Sequence, residues 1–267
     1  MKRRLALLSV LACLVFAADL AAHDTWLLPD SLRVPVGRRV VLSLTSGEAF
    51  PADDFAIDPR RVRTATVRLA GAKATLAPPR TSPMSLRYEW TPRSPGIAGL
   101  AVELAPKTLT LTPEKVEEYF KDINASAALR AAWDSVPRPR HWRESYTKHA
   151  ASFVRVGNPR ADSSWSVPLG MEFEIVPEVD PTSLRAGQTL RVRVLRNGTP
   201  RANLEVGLQH DGDSHVSFTT TDGAGRASMI VARTGRWLVN VTDLRRTHAA
   251  GLEWESDFAT LTIAVVR

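Results

Sequence analysis

Short β-branched runs closed off by Pro, Gly and Asp recur along the chain from about residue 32 to residue 265, and this rhythm restricts the fold more than any other feature. Residues 39–44, 62–69, 85–90, 99–104 and 151–156 read as strands, and 62–69 alternates apolar and polar positions in the way of a half-buried antiparallel sheet. A second series, at 190–195, 204–208, 216–220, 227–231, 237–241 and 260–265, follows a proline-bearing linker at 177–181, and Asn197-Gly198 marks a hairpin within it. One segment breaks the pattern. Thr112 suits an N-cap and Pro113 the first helical position, while Val116, Phe120, Ile123 and Ala127 recur at helical spacing, so a helix is expected from Pro113 to Trp133. Pro137 and Pro139 end it. The expected fold is mainly β: two antiparallel β-sandwich-like domains, the first over 23–177 with a helical insertion near 112–149, the second over 178–267 and immunoglobulin-like or prealbumin-like.

Nothing covalent holds such a fold together here. The single cysteine, Cys13, lies in a stretch that reads as a secretory signal over 1–22, with a basic start at Lys2, Arg3 and Arg4 and an apolar run over 5–17. A lipoprotein-like site at Cys13 is the rival reading, fitted poorly by Leu11. Cleavage after Ala22 leaves 245 of the 267 residues, with neither thiol nor disulfide, destined for the periplasm or the exterior. Removing Lys2, Arg3, Arg4 and Asp19 takes the formal charge from +7 to +5, with basic residues spread along the length, so no nucleic-acid footprint is expected.

Processing at Ala22 would put histidine first, in His23-Asp24-Thr25-Trp26-Leu27-Leu28-Pro29. A terminal histidine offers one metal ion both its ring Nδ1 and its free α-amine, whose proton a metal displaces near neutral pH because the amine pKa is only about 7.7–8. Cleavage after Ala18 or Ala21 would remove that chelate. With no cysteine, the remaining histidines are the natural transition-metal donors. His210 and His215 flank Asp211-Gly212-Asp213-Ser214 and are placed by a hairpin at one end of a sheet, either around one ion or simply in solvent at a polar tip. His248 falls in a loop-like stretch with Arg245, Arg246, Trp254 and Glu255; His141 and His149 lie in a basic, aromatic segment and rank below the others. Nucleophilic catalysis has little support, since Gly-x-Ser-x-Gly, a catalytic cysteine and a phosphate-binding glycine loop are all missing from the sequence.

The order of several short pieces resembles the periplasmic proteins of domain of unknown function family 4198, some of which are components of nickel and cobalt transport systems. They are the 23–29 start, Lys-His-Ala-Ala-Ser-Phe-Val-Arg-Val-Gly over 148–157, Asn197-Gly198-Thr199-Pro200, Thr221-Asp222-Gly223-Ala224-Gly225, Gly235-Arg236-Trp237-Leu238 and Trp254-Glu255 leading to Thr260-Leu261-Thr262. The resemblance implies two β-rich domains, export, and handling of a divalent metal for an inner-membrane importer, with His23 carried over. Many relatives have a histidine after the strand that ends here at Val241, where this chain has Thr242-Asp243, so Asp243 or His248 would have to substitute. The resulting expectation is a non-enzymatic metal-binding or delivery protein for Ni(II), Co(II) or Cu(II), with donors drawn from His23, His210, His215, His248 and Asp243. Two alternatives stand beside it: a secreted copper-dependent oxidative enzyme, and a metal-free scaffold or carbohydrate-binding module presenting Trp26, Trp142 and Trp254 as a surface platform.

Overall fold

The computed structural model describes residues 23–159 and 162–267, so the secretory-signal reading of 1–22 lies outside the described residues. Strands β1 (Asp24–Pro29), β2 (Arg33–Val34), β3 (Val40–Gly47), β4 (Phe55–Ala56), β5 (Val62–Leu69), β6 (Ala72–Thr75), β7 (Arg80–Thr81), β8 (Leu86–Trp90), β9 (Gly96–Leu104) and β10 (Lys107–Leu111) precede helices α1 (Pro113–Asp122) and α2 (Ala127–Asp134). The chain then runs through β11 (Trp142–Val156), β12 (Phe173–Pro177), β13 (Gln188–Arg196), β14 (Thr199–Pro200), β15 (Glu205–His210), β16 (Val216–Thr220), β17 (Arg226–Val231), β18 (Gly235–Arg246) and β19 (Trp254–Val265). The protein is mainly β, as its alternating runs require.

These strands make three sheets, and the largest is shared. Ten strands, in the order β16-β15-β18-β19-β11-β9-β5-β6 with β10 and β2 also on β11, form the middle layer. Because successive side chains of a strand point to opposite faces, one face presents Ala98, Leu100, Val102, Ala150 and Val154 to Leu42, Leu44, Leu86 and Tyr88 of the five-stranded sheet built on β1, β3 and β8. The other face presents Ala101, Ala151, Phe153, Leu261 and Ile263 to Phe173, Ile175, Val192 and Val194 of the four-stranded sheet of β12, β13, β14 and β17. Each buried Leu, Val or Phe contributes roughly 1.5–3 kcal/mol.

The expected boundary at 177/178 falls inside this packing. β12 pairs antiparallel with β13 across it, from Phe173↔Arg196 to Pro177↔Val192. β19 pairs in parallel with β11 over nine positions, Glu144↔Trp254 to Ser152↔Thr262, so the ten-stranded sheet runs through both expected halves. Parallel neighbours need a long crossover rather than a hairpin, and the whole chain between β11 and β19 supplies it.

The helical excursion is present but divided. Thr112 caps α1, its hydroxyl accepting from Lys115 N at 3.4 Å, and Pro113 opens the helix. Asn124, at φ 49°, leaves the right-handed region and ends the helix, after which Ser126 caps α2 by accepting from Leu129 N at 3.3 Å. A continuous apolar period across 113–133 concealed that stop, because Asn tolerates the left-handed conformation without a proline or glycine to announce it. Both helices pack over one end of β11, β18 and β19. There Trp142 stacks on Trp254 with ring centroids 4.4 Å apart, and Trp133, Tyr119 and Phe120 meet its edges. Trp26, Trp142 and Trp254 are 1%, 1% and 0% exposed, which corrects the surface-platform expectation: all three are core.

The segment 142–149 is also corrected, from the end of the helical insertion to strand. β11 begins at Trp142, and Trp142, Glu144, Tyr146 and Lys148 alternate inward with period two before the apolar run at Ala150. Charged residues at inward positions hid the alternation, since a buried Glu or Lys is uncommon unless paired.

Candidate functional site

The first described residue is placed by its neighbours on three sides. β1 pairs with β3 from Asp24↔Gly47 to Pro29↔Leu42, and Trp26 and Leu28 pack with Phe50 and Leu238. Gly47 is required there, because a Cβ would stand 2.7 Å from the Asp54 Cβ and 3.0 Å from the Trp26 ring. Three clamps then hold the start of β1 on the middle sheet: Lys148 Nζ donates to the His23 carbonyl, Asn240 Nδ2 donates to Asp24 Oδ2 at 2.6 Å, and Thr260 Oγ1 donates to the Thr25 carbonyl at 2.6 Å.

Under this restraint His23 is 8% exposed and its ring stacks on Phe55 at 5.2 Å. Its Nε2 lies 2.7 Å from Glu48 Oε1. A carboxylate can only accept, so in the neutral ring Nε2 carries the proton and Nδ1 keeps its lone pair. Nδ1 is buried without a hydrogen-bond partner among the described residues. A histidine held through one nitrogen by a carboxylate, with the other left open, has the arrangement in which a carboxylate orients a metal-binding imidazole and raises its basicity.

His23 lines a cleft of about 460 Å³ together with Asp24, Glu48, Lys121, Asp122 and His215. β1 and the end of β3 form one wall, the tip of α1 a second, and the β15–β16 loop with β18 a third. Its carboxylates are short of compensating charge. Burial raises Asp24 above the usual carboxylate range, against the Asn240 hydrogen bond and the charges of Lys148 and His23. Desolvation raises Asp122, and the nearby Glu48 and Glu118 carboxylates add to it. Crowded carboxyls of this kind favour a bound cation, which would restore the ionised form. Among the described residues no three His, Cys, Asp or Glu side chains lie grouped closely enough to hold a metal by themselves.

Of the sequence-predicted donors, His23 and His215 share the cleft. His210 does not join them. Gln209 lines the cleft, so the next residue of the strand faces away; His210 Nε2 donates to the Thr234 carbonyl at 2.9 Å and its ring meets Trp237 at 4.7 Å. Asp211 and Asp213 are ion-paired to Arg236 and Arg233. His248 is exposed in the loop between β18 and β19, away from the cleft lining. Asp243 is 2% exposed and lies between Arg196 Nη1, at 3.3 Å, and Arg201 Nε, at 3.0 Å, so its lone pairs are committed. The structure thus places these three donors apart from the His23 cleft, His210 by strand direction, Asp243 by its arginine partners and His248 by its exposed loop, none of which spacing along the chain discloses.

Sequence reasoning missed Glu48, Asp122, Lys148 and Asn240 around the cleft, and it ranked His149 low. His149 is 1% exposed on the opposite face of β11 from Lys148. Its Nε2 lies 3.4 Å from Asp257 Oδ1 and its Nδ1 3.4 Å from Glu103 Oε1. Asp257 in turn accepts from Arg196 Nη2 at 2.6 Å and Arg245 Nη1 at 2.9 Å. Burial opposes charge on His149, but hydrogen bonds and charge from Asp257 and Glu103 outweigh it and raise its pKa. Burial likewise works against the Glu103 carboxylate, yet His149, the Glu172 amide and Thr64 bring it down to about 2. With both ring nitrogens facing carboxylates at 3.4 Å, which favour its protonated form, His149 has no position left for a ligand.

Solved structures aligned with this chain share little of its sequence. The Yersinia pseudotuberculosis adhesin InvE has 10% identity over 89% of this chain and 58% of its own, with a TM-score of 0.24. A DUF4785 family protein from Legionella pneumophila has 11% identity over 81% of this chain and 50% of its own, with a TM-score of 0.23. Murine CEACAM1b has 6% identity over 91% of this chain and 99% of its own, with a TM-score of 0.22. This chain thus spans between half and three fifths of the first two. No curated protein matches it. The family model described as domain of unknown function (DUF4198) matches residues 20–243, nearly the whole described chain, and the protein belongs to that family.

Proposed function

We propose that this protein binds or delivers a divalent transition metal in the periplasm, at a site built on His23. The observation that carries the reading is the state of the His23 ring: Nε2 is held by Glu48 and Nδ1 is buried without a partner among the described residues, in a residue that lines a cleft with Asp24, Asp122 and His215. Processing immediately before His23 would add its α-amine beside Nδ1, giving two nitrogens on one residue. Nitrogen-rich, thiolate-free donors favour Ni(II), Co(II) or Cu(II), and an inner-membrane importer is the partner such a carrier would serve.

Calorimetric titration with each ion tests this on the mature protein, on a form with one glycine added before His23, and on His215→Ala. The extension keeps every side chain and removes only the free amine, so affinity should fall by about a hundredfold or more. Equal affinity for the native and extended forms would remove the terminal-histidine site.

His215, in the lining of the same cleft as His23, favours one second reading, a copper-dependent oxidative enzyme, since a terminal histidine with a second imidazole is a donor set that copper accepts. Copper-dependent peroxide production by the mature protein, abolished in His215→Ala, would select it over simple carriage.

A further inference from the structure

The cleft is too large and too mixed in charge for a bare ion. Six coordinated waters, at about 30 Å³ each, bring a hydrated divalent ion to roughly 200 Å³, whereas the cleft holds about 460 Å³ and falls within the range of small-molecule sites. Among the described residues no three carboxylate or imidazole side chains close around a single point, so the protein leaves most of a six-coordinate sphere to other donors.

The lining supplies a second clue. His23, Asp24, Glu48 and Asp122 suit a cation, but Lys121, the last basic residue of α1, lines the same cleft and makes no ion pair among the described residues. An ammonium repels a free metal ion; it attracts a carboxylate, and Ser214 on the facing loop adds a hydroxyl donor. Asn240 and Gln209 are committed elsewhere, through Nδ2 to Asp24 and Nε2 to the Asp213 carbonyl. The cleft therefore has a metal-directed wall at His23 and an anion-directed wall at Lys121.

We infer that the cleft takes its metal together with a small carboxylate chelator, the ion facing His23 and the chelator's carboxylates facing Lys121 and Ser214. This rests on the metal-binding reading and specifies the form in which the metal arrives. His23 replaces some of the waters left on the ion, and the chelator keeps its own bonds to the metal, so nothing is oxidised or reduced.

The experiment uses mature protein equilibrated with nickel alone or with nickel and radiolabelled citrate in equimolar amounts, then separated from free solute. Nickel and citrate should be retained one to one, and Lys121→Met should lower citrate retention by about tenfold, as expected for loss of one charge-assisted contact. Retention of nickel without citrate would overturn the inference and leave the metal site standing. Retention of neither would remove both the site and the inference. Unchanged citrate retention in Lys121→Met would overturn the anion-directed wall and with it the orientation of the complex.

Discussion

Lys148 and His149 are consecutive on β11, both almost wholly buried, and they answer burial in opposite ways. On the cleft face, Lys148 stands over the rings of Tyr146 and Phe258 at 5.6 Å. Burial pulls its pKa down to about 7; Asp24 and Glu144 oppose that, and Arg61 and Lys107 reinforce it. On the other face, His149 faces Glu103 and Asp257 directly, and these carboxylates raise its pKa against burial. The difference shows what sets apart the two polar regions of this molecule. Where carboxylates flank a buried imidazole on both sides the site is structural, and where burial raises the carboxyls of a cleft, as it does Asp24 and Asp122, room for a cation remains.

The largest expected effect breaks the saturated side. Asp257→Asn removes the charge shared by His149, Arg196 and Arg245, and breaking a buried ionic network by one partner costs about 3–5 kcal/mol. Urea denaturation should show that loss while nickel affinity stays constant. A shift below about 1 kcal/mol would mean that solvent already compensates these cations.

His23→Ala is the converse. Metal affinity should fall by about a hundredfold or more, roughly 2.7 kcal/mol, while the unfolding midpoint moves by less than about 1.5 kcal/mol, since one ring contact and one exposed carboxylate partner are lost. If the stability loss were the larger of the two, His23 would belong with His149 as a packing residue.

The pH dependence of stability separates the two faces in one experiment. The folded pKa of Lys148 is depressed, so between about 7 and the ordinary lysine value of 10.5 only the unfolded chain holds its proton, and stability rises with pH across that window. The pKa of His149 is raised, so its contribution is fully present below the ordinary histidine value of 6.5 and is lost as pH rises through the folded value. Lys148→Met should abolish the rising limb, whose slope is at most about 1.4 kcal/mol per pH unit, and leave the falling one. Persistence of the rising limb in denaturant titrations would assign it to another group.

Glu48→Gln has the smallest expected effect. Glu48 is exposed and acts on the metal through His23 Nε2, so neutralising it should reduce nickel affinity by about tenfold, at the lower end for an outer-shell partner, with no change in the unfolding midpoint. An unchanged affinity would place the ring's orientation with Phe55 and the β1 clamps instead.

Much of this molecule could be read locally. The strand runs, the Thr112 cap, the prolines after the helical segment, and the hairpin flanked by His210 and His215 all depend on neighbours within a few residues, where periodicity and capping chemistry act. His23 was a candidate from its position alone. The break at Asn124 was not legible, because nothing but its positive φ stops the apolar period. Nor could the strand at 142–149 be read while its inward positions held Glu144 and Lys148, whose partners Tyr119, Ser256 and Asp24 come from distant segments.

By itself, then, the sequence determined a β-rich chain without disulfides, a capped helical excursion, and a histidine at the head of the first strand, because local sterics, hydrogen bonding and side-chain period act over a few residues. Tertiary structure alone decided that β19 would lie parallel to β11, that His215 would reach the cleft of His23 while His210 turned to Trp237, and that Asp243 would be spent on Arg196 and Arg201. The physical reason is that a side chain's availability for a ligand depends on which charges and donors sheet pairing brings within about 4 Å of it, and those partners lie up to a hundred residues or more away along the chain, as Glu144 and Ser256 do.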